Sequence, residues 1–120
     1  FANKQNLPDA DQIIAGDIGE AMTTIIKNEN TYIVIVTRGH ADDADALRPC
    51  MGSGAAYTGM IGSKLKVAKM HDDFIRKKWA TEEQWARIFS PVGLDIRSVT
   101  VEEIAVSIAA QLIQVKNNKR

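Results

Sequence analysis

The sequence predicts an α/β fold, a parallel sheet covered by helices, and three observations carry that prediction. Tyr32-Ile33-Val34-Ile35-Val36 is apolar without alternation and rich in β-branched residues, the pattern of a strand buried on both faces. Two other short apolar runs, 12–15 and 55–61, each end at a glycine. Helical periodicity fills the stretches between and after them, and strands alternating with helices build a parallel sheet.

Taken in order, residues 1–11 are polar, with Leu7-Pro8-Asp9 as a turn signal. Gln12-Ile13-Ile14-Ala15 reads as a strand closed by Gly16-Asp17. Residues 18–27 read as a helix with Ile18, Met22 and Ile25 or Ile26 on one face, and Asn28-Glu29-Asn30 breaks it. After the 32–36 strand, Arg38-Gly39-His40 turns into a short helix over 42–48, which Pro49 must stop because proline cannot continue a helix. Gly52-Ser53-Gly54 is loop, and the 55–61 strand runs into Gly62-Ser63. From Lys64 to Lys78 the pattern is helical, with Leu65, Val67, Ala68, Met70, Phe74 and Ile75 on the apolar side. Thr81 with Gln84, and Thr100 with Glu103, fit capping boxes opening helices at 82–89 and 101–115. The second of these is apolar on more than one side. Val101, Ile104, Ile108, Leu112 and Val115 form one stripe and Val106 and Ile113 lie off it, which predicts a largely buried helix.

The chain has 120 residues, 45% of them hydrophobic, which suits one domain over 1–120 with a real core and is too short for two. One cysteine, Cys50, excludes an in-chain disulfide framework and a Cys-rich zinc site. No apolar run approaches the roughly 20 residues of a membrane-spanning helix, so a cytoplasmic protein with no membrane partner is expected. Fifteen basic against fifteen acidic residues argues against a nucleic-acid binder. The balance hides an asymmetry: residues 1–60 carry 8 acidic and 4 basic side chains, residues 61–120 carry 7 and 11. The basic excess around 64–78 fits either a solvated helix face or a patch for an anionic ligand or acidic partner.

Open parallel sheets bind ligands at the carboxyl ends of their strands. At one such end lie Thr37-Arg38-Gly39-His40 and then Asp42 and Asp43. His40 with a nearby carboxylate fits a proton carrier or ligand contact, and a turn residue beside a helix cap fits as well. At the other end, Gly59-Met60-Ile61-Gly62-Ser63-Lys64-Leu65-Lys66 places glycines and lysines where a helix begins. Glycine admits close approach of a ligand and a helix N-terminus favours an anion, while Ser63 equally fits a plain N-cap. A third segment, Pro91-Val92-Gly93-Leu94-Asp95-Ile96, brings Asp95 toward the same sheet edge or forms a structural turn. Cys50 lacks a local base and reads as structural, and His71 reads as exposed; the two histidines give no metal site.

Four ordered motifs resemble the carboxyl-terminal Rossmann-like domain of the XdhC/CoxI-type accessory factors. Tyr57, Gly59, Gly62, Ser63 and Lys66 match a Y-x-G-x-x-G-S-x-x-K signature, and Thr37, His40 and Asp43 match T-x-x-H-x-x-D. Pro91–Ile96 resembles P-I-G-L-D-I, and Thr100–Ile108 resembles T-P-E-E-I-A-x-S-I. Arg97 stands where that family usually has glycine, and Val101 where it usually has proline. The family's first strand, glycine-rich turn and second strand would precede Phe1. The resemblance therefore implies an incomplete Rossmann-like parallel sheet of about three strands. Residues 12–15 would lack a neighbour in place and 32–36 would lie at an edge, so a fragment of a longer chain, or a sheet completed or swapped in a dimer, is expected.

The resemblance further implies an accessory or maturation factor for a molybdenum hydroxylase of the xanthine dehydrogenase type, more a cofactor-insertion chaperone than an enzyme. Its cofactor would be the molybdenum cofactor (molybdopterin), its partner the apo molybdenum hydroxylase, and its own state a homodimer. His40, Asp43, Gly59, Gly62, Ser63, Lys64, Lys66 and Asp95 are then the expected cofactor-binding positions. Two other readings stand beside it: a fragment of a Rossmann-type NAD(P)-dependent oxidoreductase, whose dinucleotide fingerprint is absent from these residues, and a dimerising remnant without a ligand.

Overall fold

A computed structural model describes residues 5–25, 27–37 and 40–118, with the backbone alone described at His40. The elements run α1 (Ile18–Thr24), β1 (Tyr32–Ile35), α2 (His40–Leu47), a single 3-10 turn (Arg48–Cys50), β2 (Tyr57–Met60), α3 (Lys64–Arg76), α4 (Glu82–Ala86) and α5 (Val101–Asn118). β1 and β2 pair in parallel, Tyr32 opposite Tyr57 and Ile35 opposite Met60. This is the expected α/β architecture, a partial Rossmann-like sheet flanked by helices, with two strands among the described residues.

Local chemistry explains most boundaries. Asp17 caps α1, accepting the Glu20 N–H at 2.9 Å. Pro49 sits in the 3-10 turn that closes α2. Ser63 caps α3 through the Lys66 N–H, and the Thr81–Gln84 capping box opens α4. Thr100 and Glu103 cap α5 reciprocally: Thr100 Oγ1 accepts the Glu103 N–H, and the Glu103 carboxylate accepts the Thr100 and Val99 N–H groups. Those backbone donors, Thr100 first, hold the Glu103 carboxyl below its ordinary range.

The core lies on one face of the sheet. Ile35 and Met60 from the strands meet Ala46 and Leu47 of α2 and Val67, Met70 and Phe74 of α3, all buried. Ile18, Met22, Trp79 and Trp85 close its margins. Phe74 meets Trp79 and Trp85 edge-on at 5.3 and 5.4 Å, and Arg48 stacks on Trp79 at 4.1 Å.

Five expectations need correction. Residues 12–15 form no strand, and Ile14 is 46% exposed; a strand needs a neighbour to take its hydrogen bonds, and the described sheet offers none there. β1 is buried on one face, since Val34 and Val36 remain exposed on the other. The helix expected over 82–89 stops at Ala86. Phe89 instead bridges Gly59 in parallel, its N–H donating to Thr58 O (2.9 Å) and its carbonyl accepting from Met60 N–H (3.0 Å). α5 is not largely buried: Ser107 and Gln111 are its buried residues, while Val101, Val106 and Ile113 are exposed. His71 is not simply exposed; its Nε2 lies 2.9 Å from the Glu82 carboxylate and its ring 5.3 Å from Trp85.

Candidate functional site: a cleft beyond the second strand

β2 ends at Met60, and the chain beyond it forms one wall of a cleft of about 450 Å³, with Ile61, Gly62 and Lys64 lining it. The facing wall is Pro91–Ser98, and Ile104 and Ser107 of α5 complete it. The cleft therefore lies where a parallel sheet places ligands, at the carboxyl end of a strand. Its volume falls within the usual range for small-molecule sites.

The second wall is built from residues whose type the geometry dictates. Val92 N–H donates to Met60 O at 3.0 Å, anchoring the wall to the sheet. Gly93 has φ of 97°, and a Cβ there would stand 2.5 Å from Ser107 Oγ, so only glycine lets the loop lie this close to α5. Gln111 clamps the same residue, its Oε1 accepting the Gly93 N–H (2.9 Å) and its Nε2 donating to Gly93 O (3.2 Å). That Oε1 also accepts the Tyr57 hydroxyl at 2.5 Å, tying loop, helix and strand at one atom. Burial pushes the Tyr57 hydroxyl up to about 12, with the Gly93 backbone N–H opposing part of the rise. Leu94 N–H reaches Ser107 O at 3.1 Å. Asp95 Oδ1 accepts the Arg97 N–H at 3.3 Å, and Arg97 is held at φ of 57°.

The expected site residues separate into two groups. Gly62, Lys64 and Asp95 share the cleft. Asp43 and Lys66 form an ion pair beside it: the Asp43 carboxylate is fully buried and accepts from both Lys66 Nζ and Thr37 Oγ1. A Cβ on Gly62 would lie 3.5 Å from Lys66 Cδ, so Gly62 joins the two groups. Thr37, Asp43 and Lys66 come from two separate motifs and meet in one polar cluster. Ser63 spends its oxygen on the α3 cap. Gly59 lies within β2 under Val92 and Tyr57, whose atoms would stand 2.5 and 2.6 Å from a Cβ. His40 opens α2; Arg38 and Gly39 lie outside the described residues.

Sequence reasoning missed the Tyr57–Gln111–Gly93 clamp, although Gln111 and Ser107 are polar residues on an apolar helix, the signal that would have found them. It also left Arg97 outside the site. Among the described residues no cluster of three His, Cys, Asp or Glu side chains forms, and no helix is long and apolar enough to cross a membrane.

An α/β arrangement with a ligand-sized cleft at its sheet's carboxyl edge defines a Rossmann-type domain. The model of the XdhC Rossmann domain family matches residues 1–112, and the chain belongs to that family. It is 32% identical over 111 residues to the uncharacterised protein YqeB of Escherichia coli K12, which covers 92% of this chain and 20% of that protein. It superposes with a TM-score of 0.80 and 28% identity on a crystal structure described as a xanthine dehydrogenase from Bacillus halodurans, covering 99% of this chain and 33% of the other. The chain thus spans a fifth to a third of the relatives it matches.

Proposed function

We propose that this domain serves an accessory factor for a molybdenum hydroxylase of the xanthine dehydrogenase type, holding the phosphate end of the molybdenum cofactor in the cleft during its insertion into the apo-enzyme. The observation that carries this reading is the cleft itself. Lys64 and Arg97 line it, neither has an ion-pair partner among the described residues, and Asp95 already accepts a backbone N–H. Ile61, Val92, Leu94 and Ile104 add an apolar surface for a ring.

The donor set fits a phosphate and a flat ring, and the absence of a ligating cluster among the described residues leaves the metal end to other groups. When bound, the cofactor would supply redox chemistry to the client enzyme. This chain's residues would do the holding: Lys64 neutralises the phosphate, Gly62 lets it approach the backbone, and the Gln111 clamp keeps the facing wall in place. Asp43 holds the Lys66 ammonium at the edge of the site. His40, the first residue of α2, is proposed as a further contact. A homodimer that completes the sheet is part of this proposal, since among the described residues β1 pairs with β2 alone, and sedimentation measures the assembly directly.

The test is binding of molybdopterin against NAD(P), with Gly62→Asp, Lys66→Ala and His40→Ala. Molybdopterin binding that Gly62→Asp abolishes is expected. Binding of NAD(P) alone would replace this reading with the oxidoreductase one, and binding of neither would favour a domain without a ligand.

A further inference from the structure

We infer that α5 carries a self-docking surface: a second copy of this chain lays its own α5 antiparallel across the outward face of this one, the two helices crossing at Ala109. This surface is separate from the cleft, and separate from the β1 edge at which the proposed homodimer completes the sheet.

The polarity of α5 is reversed. Toward its own domain it buries two polar residues, Ser107 and Gln111, and Gln111 is bonded to Gly93 and Tyr57. At 3.6 residues per turn, position 109 lies on the opposite side of the helix from 107 and 111. The face centred on it is apolar and open: Ala105 and Ala109 are exposed, and Val106 and Ile113 are 61% and 58% exposed. A helix that meets water along one side carries polar residues there, and α5 instead turns that side outward as an apolar strip suited to another protein surface.

The order of charges says which surface. Glu102 and Lys116 stand seven residues before and after Ala109, two turns each way, so they share its face, and both are exposed. A twofold axis through Ala109 sets each Glu102 against the partner's Lys116, about 10 Å along the helix from the crossing, and does so twice. A parallel copy would set like charge on like charge at both ends. The apolar strip supplies the association, and the charges supply partner and direction. The same axis sets Ala105 opposite the partner's Ile113 and Val106 opposite the partner's Leu112. Tyr32, Leu112, Ile113 and Lys116 border an apolar hollow of about 200 Å³ that receives the partner's Val106. Ala109 at the crossing lets the helix axes approach to about 8 Å.

Sedimentation of the 120-residue chain over a concentration series reads the association, and two charge reversals read its geometry. Glu102→Lys and Lys116→Glu each make both cross-pairs repulsive, and each alone should weaken association about tenfold. An equimolar mixture of the two variants restores both pairs across the interface and should recover association close to that of the unaltered chain. Mixing would not cure a folding defect. Ala109→Cys should close a disulfide between two copies at that position under mild oxidation, while Cys50 stays buried. Association indifferent to both reversals, or weakened by them without recovery on mixing, overturns the inference and leaves the sheet-completing homodimer standing. A chain that stays monomeric at every concentration overturns both.

Discussion

Gly93→Ala is the substitution whose cost the structure sets most directly. Two terms add. An alanine at φ of 97° occupies backbone space that a Cβ disfavours, which costs about 1–2 kcal/mol. Its Cβ would also stand 2.5 Å from Ser107 Oγ, 3.3 Å from Ser107 Cβ and 3.4 Å from Ile108 N, and relieving such overlap costs about 1–3 kcal/mol more. The total, about 2–5 kcal/mol, is a large fraction of a typical domain's stability of about 5–15 kcal/mol. Urea unfolding followed by Trp79 and Trp85 fluorescence should show the midpoint falling by about 1–3 M at an m near 1.5 kcal/mol/M. Ser107→Ala removes the closest atom while leaving the Cβ. The double variant should therefore recover part of the overlap term and none of the backbone term. A Gly93→Ala cost below about 0.5 kcal/mol, or no rescue by Ser107→Ala, would refute the claim that the loop lies against α5 because residue 93 lacks a side chain.

Other outcomes follow from the polar contacts. Lys66→Met strands a fully buried carboxylate, whereas Asp43→Asn frees an ammonium whose side chain is 28% exposed and can reach water. Urea titrations should give a cost of about 3–5 kcal/mol for the first, less for the second, and a double variant at least 1 kcal/mol better than additive. Tyr57 keeps its proton to about pH 12 when folded and loses it near 10 when unfolded, so deprotonation favours the unfolded chain. Stability should be unaffected by this group below pH 10 and fall between 10 and 12 by at most about 1.4 kcal/mol per pH unit, a slope that Tyr57→Phe removes in pH-dependent unfolding. The Cys50 thiol is buried, and burial pushes it up despite the nearby Lys27 charge. Alkylation of native protein at pH 8 should therefore be slow and become fast in denaturant, as mass spectrometry will show.

The fold was legible where a local rule decides. The caps at Ser63, Thr81 and Thr100 and the stop at Pro49 are short-range chemistry, and each stands where the sequence places it. Apolar runs were a weaker guide. Gln12–Ala15 has the composition of a strand but no strand neighbour among the described residues, while Phe89, at the end of an apparently helical stretch, finds backbone partners in Thr58 and Met60. Both outcomes are set by pairing between distant segments, which periodicity does not record. The candidate site divides along the same line. Motif spacing brought out Gly62, Lys64 and Asp95, but not that Asp43 and Lys66 would pair, nor that Gln111 would reach back 54 residues to Tyr57.

On the proposed function, this XdhC-family domain holds its ligand in the cleft beyond β2. Hydrogen exchange of backbone amides with and without molybdopterin tests it most directly. Slowed exchange is expected at 61–64 and 93–98, with the distant α1 and the carboxyl end of α5 unchanged. Protection confined to other segments, or none at saturating molybdopterin, would contradict it.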